Sequence, residues 1–493
     1  MQIIIPNYKD SQMAKFSHFL VLVFVCIFAA SCIKSVKTKP NFIVILCDDT
    51  GYADLGCYGH PSIHTPQIDK LACEGQKWTN FYVASSLCTP SRVGLLTGRL
   101  PVRCGMGGGK QRVILPWSAG GMPGSEITIA ENLKDAGYAT ACIGKWHIGH
   151  SKEEYLPNQQ GFDYFLGLYM NIDHYGANGW NWKDYVTYKD SLFKPEYYDV
   201  PLVENGRVIE QPFNFTLLTK RYVNESLKFI RKNKYKPFFL FLSHSMPHVP
   251  LGTSGSFKGI SNQGLYGDAM EEIDAGVGEI MQTLKQEGLD KNTIVVFTSD
   301  NGPWLMWGEF GGSAGMLKGG KEDIYEGGFR VPFIIWGPDI VKKGVVQDLG
   351  NLMDLYPTFG NMAGAKLPKV HLDGEDITQT IRFGKENPEK IIYFYRFSTL
   401  YAVRKGAYKA YFREYKGDSK TNEPQFIHDL DNPELYNVNH DPSEKSDVAE
   451  KFSRVVNELK TIFEAHERSV VSVENQLDKI DLKIWEDRKN LYK

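Results

Sequence analysis

Four short runs of this chain are apolar without interruption, and each ends on ionisable or glycine residues. Asn41-Phe-Ile-Val-Ile-Leu46 stops at Asp48-Asp49-Thr50-Gly51, and Tyr138 to Ile143 runs into Gly144-Lys145-Trp146-His147. Pro237 to Leu242 precedes Ser243-His244 and then Met246-Pro247-His248, while Thr293 to Phe297 precedes Ser299-Asp300-Asn301-Gly302. Unbroken rather than alternating runs are what a parallel sheet covered on both faces requires. Helix-like segments at Ile127–Ala136, Lys220–Lys232 and Ala269–Gln286 lie between them. The pattern predicts an α/β sandwich with a large, mostly parallel central sheet, and in such sheets ligands bind beyond the carboxyl ends of the strands. One Asp-Asn-Gly is ordinary turn chemistry; four ionisable strand ends on one sheet edge predict a site.

Asp48, Asp49, Asp300 and Asn301 offer oxygen ligands only, which selects Ca²⁺ or Mg²⁺ over zinc. Three carboxylates held together repel one another, and a cation relieves them. The basic members are Arg92, Lys145 and Lys321, with His147 and His248. Lys145 and His147 stand two apart and, on an extended segment, point the same way. Lys321 lies in a glycine-rich loop, Leu317 to Gly328, that lets backbone approach a ligand. Cations around a metal would hold a tetrahedral oxyanion, sulfate or phosphate. With a net charge of −2 and a pI near 6.6, nothing draws the chain globally to nucleic acid or anionic lipid.

Cys88 opens Cys88-Thr89-Pro90-Ser91-Arg92. Pro90 suits a helix start, and Arg92 lies one turn on, on the same side. A thiol at a helix N-terminus facing an anion site is expected to be acidic and reactive. A thiolate beside an oxygen-ligated Ca²⁺ is nevertheless a poor match of soft with hard. The other cysteines form no CxxC pair, so no disulfide framework is indicated.

Cys88-x-Pro90-x-Arg92 followed by Leu95-Leu96-Thr97-Gly98-Arg99 resembles the signature of type I, formylglycine-dependent sulfatases. Gly137-Tyr138-Ala139-Thr140 through Gly144-Lys145-Trp146-His147 resembles their second signature segment. Gly51 to His60 and Leu100 to Arg103 are most similar to the arylsulfatase A and N-acetylgalactosamine-6-sulfatase branch. The resemblance spans about residues 40–450. It implies an alkaline-phosphatase-like sandwich and a sulfuric ester hydrolase of sulfated carbohydrate. It implies Ca²⁺ held by Asp48, Asp49, Asp300, Asn301 and the modified Cys88. Residue 88 would be 3-oxoalanine (formylglycine), made by a formylglycine-generating or anaerobic sulfatase-maturating enzyme. Its hydrate offers two hydroxyls, one to attack sulfur and one, deprotonated by His147, to expel sulfate. Arg92 and Lys145 would stabilise charge on the sulfuryl oxygens, and His248, with Lys321, would protonate the leaving alcohol. His248, before Val249-Pro250, is chosen over His244 because the branch places this histidine two before a proline. The rivals are a formylglycine phosphonate or phosphodiester hydrolase and a catalytically inactive sulfate-binding homologue.

The resemblance divides the chain into a catalytic domain over 40–385 and a smaller α+β domain over 386–493 with an antiparallel sheet. There, Tyr393–Arg396, Tyr401–Arg404 and Tyr408–Arg413 read as strands, Glu434–Pro442 resembles the family's closing strand and turn, and Val448–His466 reads as an amphipathic helix. Ahead of the catalytic domain, Phe19–Ala30 is too short to cross a bilayer and fits a signal-peptide core. Cys32 after Ala29-Ala30-Ser31 resembles a lipoprotein box, so residues 1–32 are expected to be a leader of lipoprotein type, with export to the periplasm or cell envelope and a membrane link only through that anchor. The loop Gly167–Gly176 is the candidate specificity element. Asp173 and His174 would hydrogen-bond sugar hydroxyls, Tyr175, Trp180 or Trp182 would stack on the ring, and galactose or N-acetylgalactosamine 6-sulfate is the favoured substrate.

Overall fold

The four apolar runs become four neighbouring strands. In the computed structural model, which describes Gln2 and residues 39–175, 199–416 and 426–483, the central sheet has ten strands. They are β1 (Asn41–Cys47), β2 (Gln76–Tyr82), β3 (Ala139–Lys145), β4 (Tyr164–Leu168) and β5 (Leu202–Glu204). After these come β6 (Arg207–Glu210), β7 (Phe238–Ser243), β8 (Thr293–Ser299), β9 (Arg330–Trp336) and β10 (Gly344–Asn351). Their spatial order is β10-β2-β9-β8-β1-β7-β3-β4-β5-β6. The contiguous group β8-β1-β7-β3 is parallel throughout. Antiparallel pairs join β9 to both β2 and β8, and β5 to both β4 and β6. Register aligns the carboxyl ends: Cys47 pairs with Ser299, Leu46 with Ser243, and Gly144 with Ser243. The residues that follow these strands therefore emerge at one level.

Both faces are covered, which is why the strands read as unbroken runs. Along β1, Phe42, Val44 and Leu46 enter one core with Trp146, Phe162 and Phe359, while Ile43, Ile45 and Cys47 enter the other. The second core is closed by helices at Leu218–Lys232 and Gly264–Gln286. A glycine is required at Gly144: its φ is +119°, and a Cβ there would stand 1.7 Å from the Ser243 carbonyl oxygen.

A second sheet, β11 (Ile391–Arg396), β12 (Thr399–Lys405), β13 (Tyr408–Lys416) and β14 (Phe426–Asn437), is antiparallel in that order. Leu459 and Phe463 of the helix Ser453–Ser469 pack on it. That helix begins later than the apolar periodicity from Val448 suggests. The Asp447 carboxylate accepts hydrogen bonds from the backbone of both Leu435 and Ala449, which ties the preceding turn to β14.

Buried charges join the second sheet to the first. Glu326, near the end of the glycine-rich loop, pairs with Arg404 at 3.2 Å and Lys409 at 3.3 Å and accepts a 2.6 Å hydrogen bond from the Tyr82 hydroxyl. Lys409 also pairs with Glu444 at 3.0 Å and donates to the Ile324 carbonyl, and Glu444 accepts from the Glu326 backbone. Burial alone would raise the Glu326 carboxyl, but Lys409, Arg404 and Arg330 hold it down to about 2. Among the described residues no helix is long and apolar enough to cross a membrane. Apart from Gln2, the leader of residues 1–32 lies outside the described residues, as do Trp180 and Trp182.

Candidate active site

The level carboxyl ends of β8, β1, β7 and β3 bring Asp300, Asp48, Lys145 and the His248 loop into one buried cluster. Asp48, Asp49, Asp300, Asn301, Arg92, Lys145 and His147 are each at most 2% exposed. Lys145 Nζ donates to Asp48 Oδ2 at 2.5 Å, and Lys321 Nζ to Asp49 Oδ2 at 2.8 Å. Arg92 Nε donates to Asp300 Oδ2 at 2.9 Å, and its Nη1 donates to the Lys145 carbonyl and the Ser243 hydroxyl. Asn301 Nδ2 donates to Asp49 Oδ1 at 2.7 Å, and Asp49 N donates to Asp300 Oδ1. The loop carrying Lys321 is pressed on the Asp300-Asn301-Gly302 turn so closely that a Cβ on Gly302 would lie 1.8 Å from the Gly327 carbonyl oxygen.

Cys88 is the first residue of the helix Cys88–Thr97, 1% exposed. The expectation of an acidic thiol is corrected here: burial pushes it up to about 11, and Lys145 and Lys321 only partly oppose that. The helix N-terminus does not outweigh full desolvation of a thiolate. The pleat argument for Lys145 and His147 also fails. Lys145 ends β3, but His147 has φ +61°, so a left-handed turn rather than strand alternation carries the imidazole into the site. Asp49 (φ +66°) and Glu322 (φ +75°) share that conformation. Three non-glycine residues in a disfavoured region around one cluster mark a place where the surrounding structure holds backbone strain.

His147 Nε2 faces the Ile114 carbonyl at 2.9 Å, and its Nδ1 is buried without a hydrogen-bond partner. Burial, then Lys145 and His174, push it well below the usual histidine range, so it is neutral at pH 7. His248 is also pushed down by burial and by Lys321, against the pull of Asp49 and Asp48; its Nε2 stands 3.6 Å from Asp49 Oδ2. His244 is held down to about 3 by burial alone, with no site charge acting on it. Of the two histidines, only His248 faces the cluster.

Asp173 is 4% exposed, and its Oδ1 and His174 Nδ1 have no hydrogen-bond partner. Burial raises the Asp173 carboxyl, opposed first by His248, then Lys321 and Lys145. It therefore lies in the field of the cluster. The Tyr175 ring, like Trp180 and Trp182, is outside what the structure describes.

Four residues were not singled out by the sequence. Ser243 bridges Arg92 and the Lys145 carbonyl. Thr89 Oγ1 donates to the His147 carbonyl and accepts from Ile114 N, fixing the turn. Asn171 Nδ2 is 3.4 Å from His248 Nε2. The Trp304 ring lies 4.1 Å from Lys321 Nζ and 5.2 Å from the His248 ring. Only Asn171 carried a signal, its place in the candidate loop.

The donor set fits a hard cation. Asp48, Asp49 and His248 each offer an atom within 4.8 Å of the others. Asp48 Oδ1 and Asn301 Oδ1 are buried oxygens lacking a hydrogen-bond donor, and a cation would satisfy both. Burial, then Asp48, raise the Asp300 carboxyl, whereas Asp48 itself is lowered: burial opposes this, but Lys145 and His248 outweigh it. The three carboxylates balance Arg92, Lys145 and Lys321, so a divalent ion would leave the cluster with a surplus positive charge that suits an anionic substrate.

The family model Sulfatase matches residues 40–365, and the model of the C-terminal region of aryl-sulfatase matches 387–489. The chain is 39% identical over 425 residues to human (Homo sapiens) arylsulfatase A, covering 83% of each. It is 40% identical over 389 residues to N-acetylgalactosamine-6-sulfatase of Rattus norvegicus, covering 76% of this chain and 71% of the relative. The structure of Ps i-CgsB in complex with k-i-k-neocarrahexaose superposes with a TM-score of 0.74 at 29% identity, covering 92% and 100% of the two chains.

Proposed function

The chain belongs to the sulfatase family, and from that premise we propose how its buried cluster hydrolyses sulfate esters of a carbohydrate. It is a sulfuric ester hydrolase. The observation that carries the site is the convergence of Arg92, Lys145, Lys321 and His248 on three carboxylates and Cys88, with His147 in the field of Lys145 and Arg92. Asp48, Asp49, Asp300 and Asn301, with residue 88, would hold Ca²⁺. When bound, Ca²⁺ supplies charge compensation and electrophilic pull on a sulfuryl oxygen. Oxidised to formylglycine, residue 88 supplies paired hydroxyls, a nucleophile that carries its own means of release. A thiol held near 11 has neither the charge nor a pair of hydroxyls.

The chain's own groups do the rest. Lys145 and Arg92, both fully buried, present fixed positive charge to the sulfuryl oxygens, where it costs no reorganisation. His147, neutral and with an unpartnered Nδ1, accepts the proton whose departure lets sulfate leave. The proton for the leaving sugar oxygen comes from His248 together with Lys321, an ammonium that Asp49 keeps charged despite its burial; Asn171 lies at His248 Nε2 and the Val249 carbonyl at its Nδ1.

The name of the N-acetylgalactosamine-6-sulfatase relative, together with Asp173 and His174 beside the cluster, supports a galactose or N-acetylgalactosamine 6-sulfate substrate. Residues 40–385 and 386–493 serve as catalytic and C-terminal domains. The leader at residues 1–32 routes the enzyme to the cell envelope, anchored at Cys32. Formylglycine-loaded protein mixed with a panel of sulfated saccharides, with sulfate read by ion chromatography, tests the activity: release from galacto 6-sulfates above gluco 6-sulfates is expected. Hydrolysis of phosphonate or phosphodiester esters without any sulfate release would overturn it.

A further inference from the structure

The charged groups of the cluster are sealed: Arg92 and Lys145 are fully buried, Cys88 is 1%, His248 3% and Lys321 9% exposed. Groups this buried can meet only the small charged end of an ester, and the rest of the molecule lies towards solvent. Half-buried Trp304, followed by exposed Leu305 and Met306, stands between the two. It follows Asn301-Gly302-Pro303, and it is fixed there because Lys321 N donates to the Pro303 carbonyl at 2.9 Å. Its half-buried ring covers Lys321 Nζ at 4.1 Å and His248 at 5.2 Å, with Trp307 edge-on at 5.6 Å. Beyond it Leu305 is 45% and Met306 47% exposed, and Met316 in the same loop is 72% exposed. Asn171 and Asp173 also belong to the surroundings of His248, the first at 3.4 Å and the second through its field, and they are polar. An aromatic face beside polar groups, among them the unpartnered Asp173 Oδ1 and His174 Nδ1, is the pair of surfaces that suits a sugar's apolar face and its hydroxyl edge.

We propose that Trp304 is the stacking surface for the pyranose that bears the sulfate, and that it contributes to selecting a galacto-configured ring. This rests on the sulfatase reading above. A galacto ring, with its axial 4-hydroxyl, gathers the C–H groups of C3, C4 and C5 on one face, and that continuous apolar patch matches an indole. In a gluco ring the 4-hydroxyl is equatorial and the C4 hydrogen turns to the opposite face, so the continuous patch is lost. Trp304 sets the ring against its apolar side while Asp173 and His174 take the hydroxyl edge, so the sulfate-bearing carbon enters below. The same ring shields Lys321 and His248 from water during the reaction.

The test compares wild type, Trp304→Ala and Trp304→Phe on galactose 6-sulfate and glucose 6-sulfate, all as formylglycine-loaded, calcium-replete protein of matched thermal midpoint. Trp304→Ala is expected to raise KM for the galacto ester about tenfold, more than it lowers kcat. Its galacto preference should shrink, and Trp304→Phe should recover KM to within about threefold. An unchanged KM in Trp304→Ala overturns the proposal. So does a kcat loss shared equally by the Ala and Phe variants with KM constant, which would make the ring mere packing for Lys321. A wild-type enzyme that releases no sulfate from any sugar instead refutes the sulfatase reading, a separate outcome.

Discussion

Replacing Glu326 with Gln removes one negative charge from between Arg404, Lys409 and Arg330 while keeping size and shape. The carboxyl is held near 2, against about 4.5 in the open chain. At about 1.4 kcal/mol per unit this is about 3 kcal/mol of native stability at neutral pH. That lies at the low end of the cost of breaking a buried ion pair, about 3–5 kcal/mol, which suits a site where Glu444 still neutralises Lys409. With an unfolding entropy near 2 cal/mol/K per residue over roughly 400 ordered residues, the melting midpoint should fall by about 4 °C. The sign with pH follows from the direction of the shift. A carboxyl lowered in the folded state stabilises fully above its unfolded value and loses that contribution as pH falls towards its folded value. The gap between wild type and Glu326→Gln should therefore hold from pH 7 to about 5 and close below about 4.5. Thermal midpoints at pH 7, 5 and 3.5, at one scan rate, read this directly. A variant that melts within a degree of wild type at pH 7, or a gap that widens on acidification, would refute the reasoning.

Two further outcomes are expected. Cys88→Ser should keep the wild-type melting midpoint within about 2 °C, since the change is small, and lose multiple turnover; mass spectrometry of active wild-type protein should find residue 88 as an aldehyde. Exhaustive chelation should abolish sulfate release and lower the melting midpoint, because the cluster's carboxylates lose their counter-ion, and Ca²⁺ rather than Zn²⁺ should restore both; full activity after chelation would exclude the oxygen-ligated site.

The strands and the residues that end them were legible because burial on both faces leaves a local signature, an apolar run that needs no knowledge of its neighbours. Their order was not. Nothing in Pro237–Leu242 says that it lies between β1 and β3, yet that placement sets Ser243 against Arg92 and Lys145. The same limit applies to His147: two-residue spacing presumed a strand, and the left-handed turn that replaced it is held by Thr89, 58 positions away. Local rules also misjudged the Cys88 thiol, since a helix terminus is visible in sequence and complete desolvation is not. Trp304 went unnoticed because one aromatic after a turn is ordinary until Lys321 and His248 are folded beneath it. Likewise, Arg404 and Lys409 look like the solvent-facing residues of alternating strands and turn out to be fully buried.

Those two cations bear on how such a protein can be rebuilt. The loop that delivers Lys321 closes on Glu326, whose charge is answered by residues more than 70 positions later in a different sheet. Neither half is electrically complete alone. A chimera that exchanged the C-terminal sheet for another would leave Glu326 with only Arg330 of its three cations unless the graft brought its own equivalents of Arg404, Lys409 and Glu444. The unit of modular exchange in this architecture is therefore the whole span from Lys321 to Glu444, across a boundary that looks from outside like a seam.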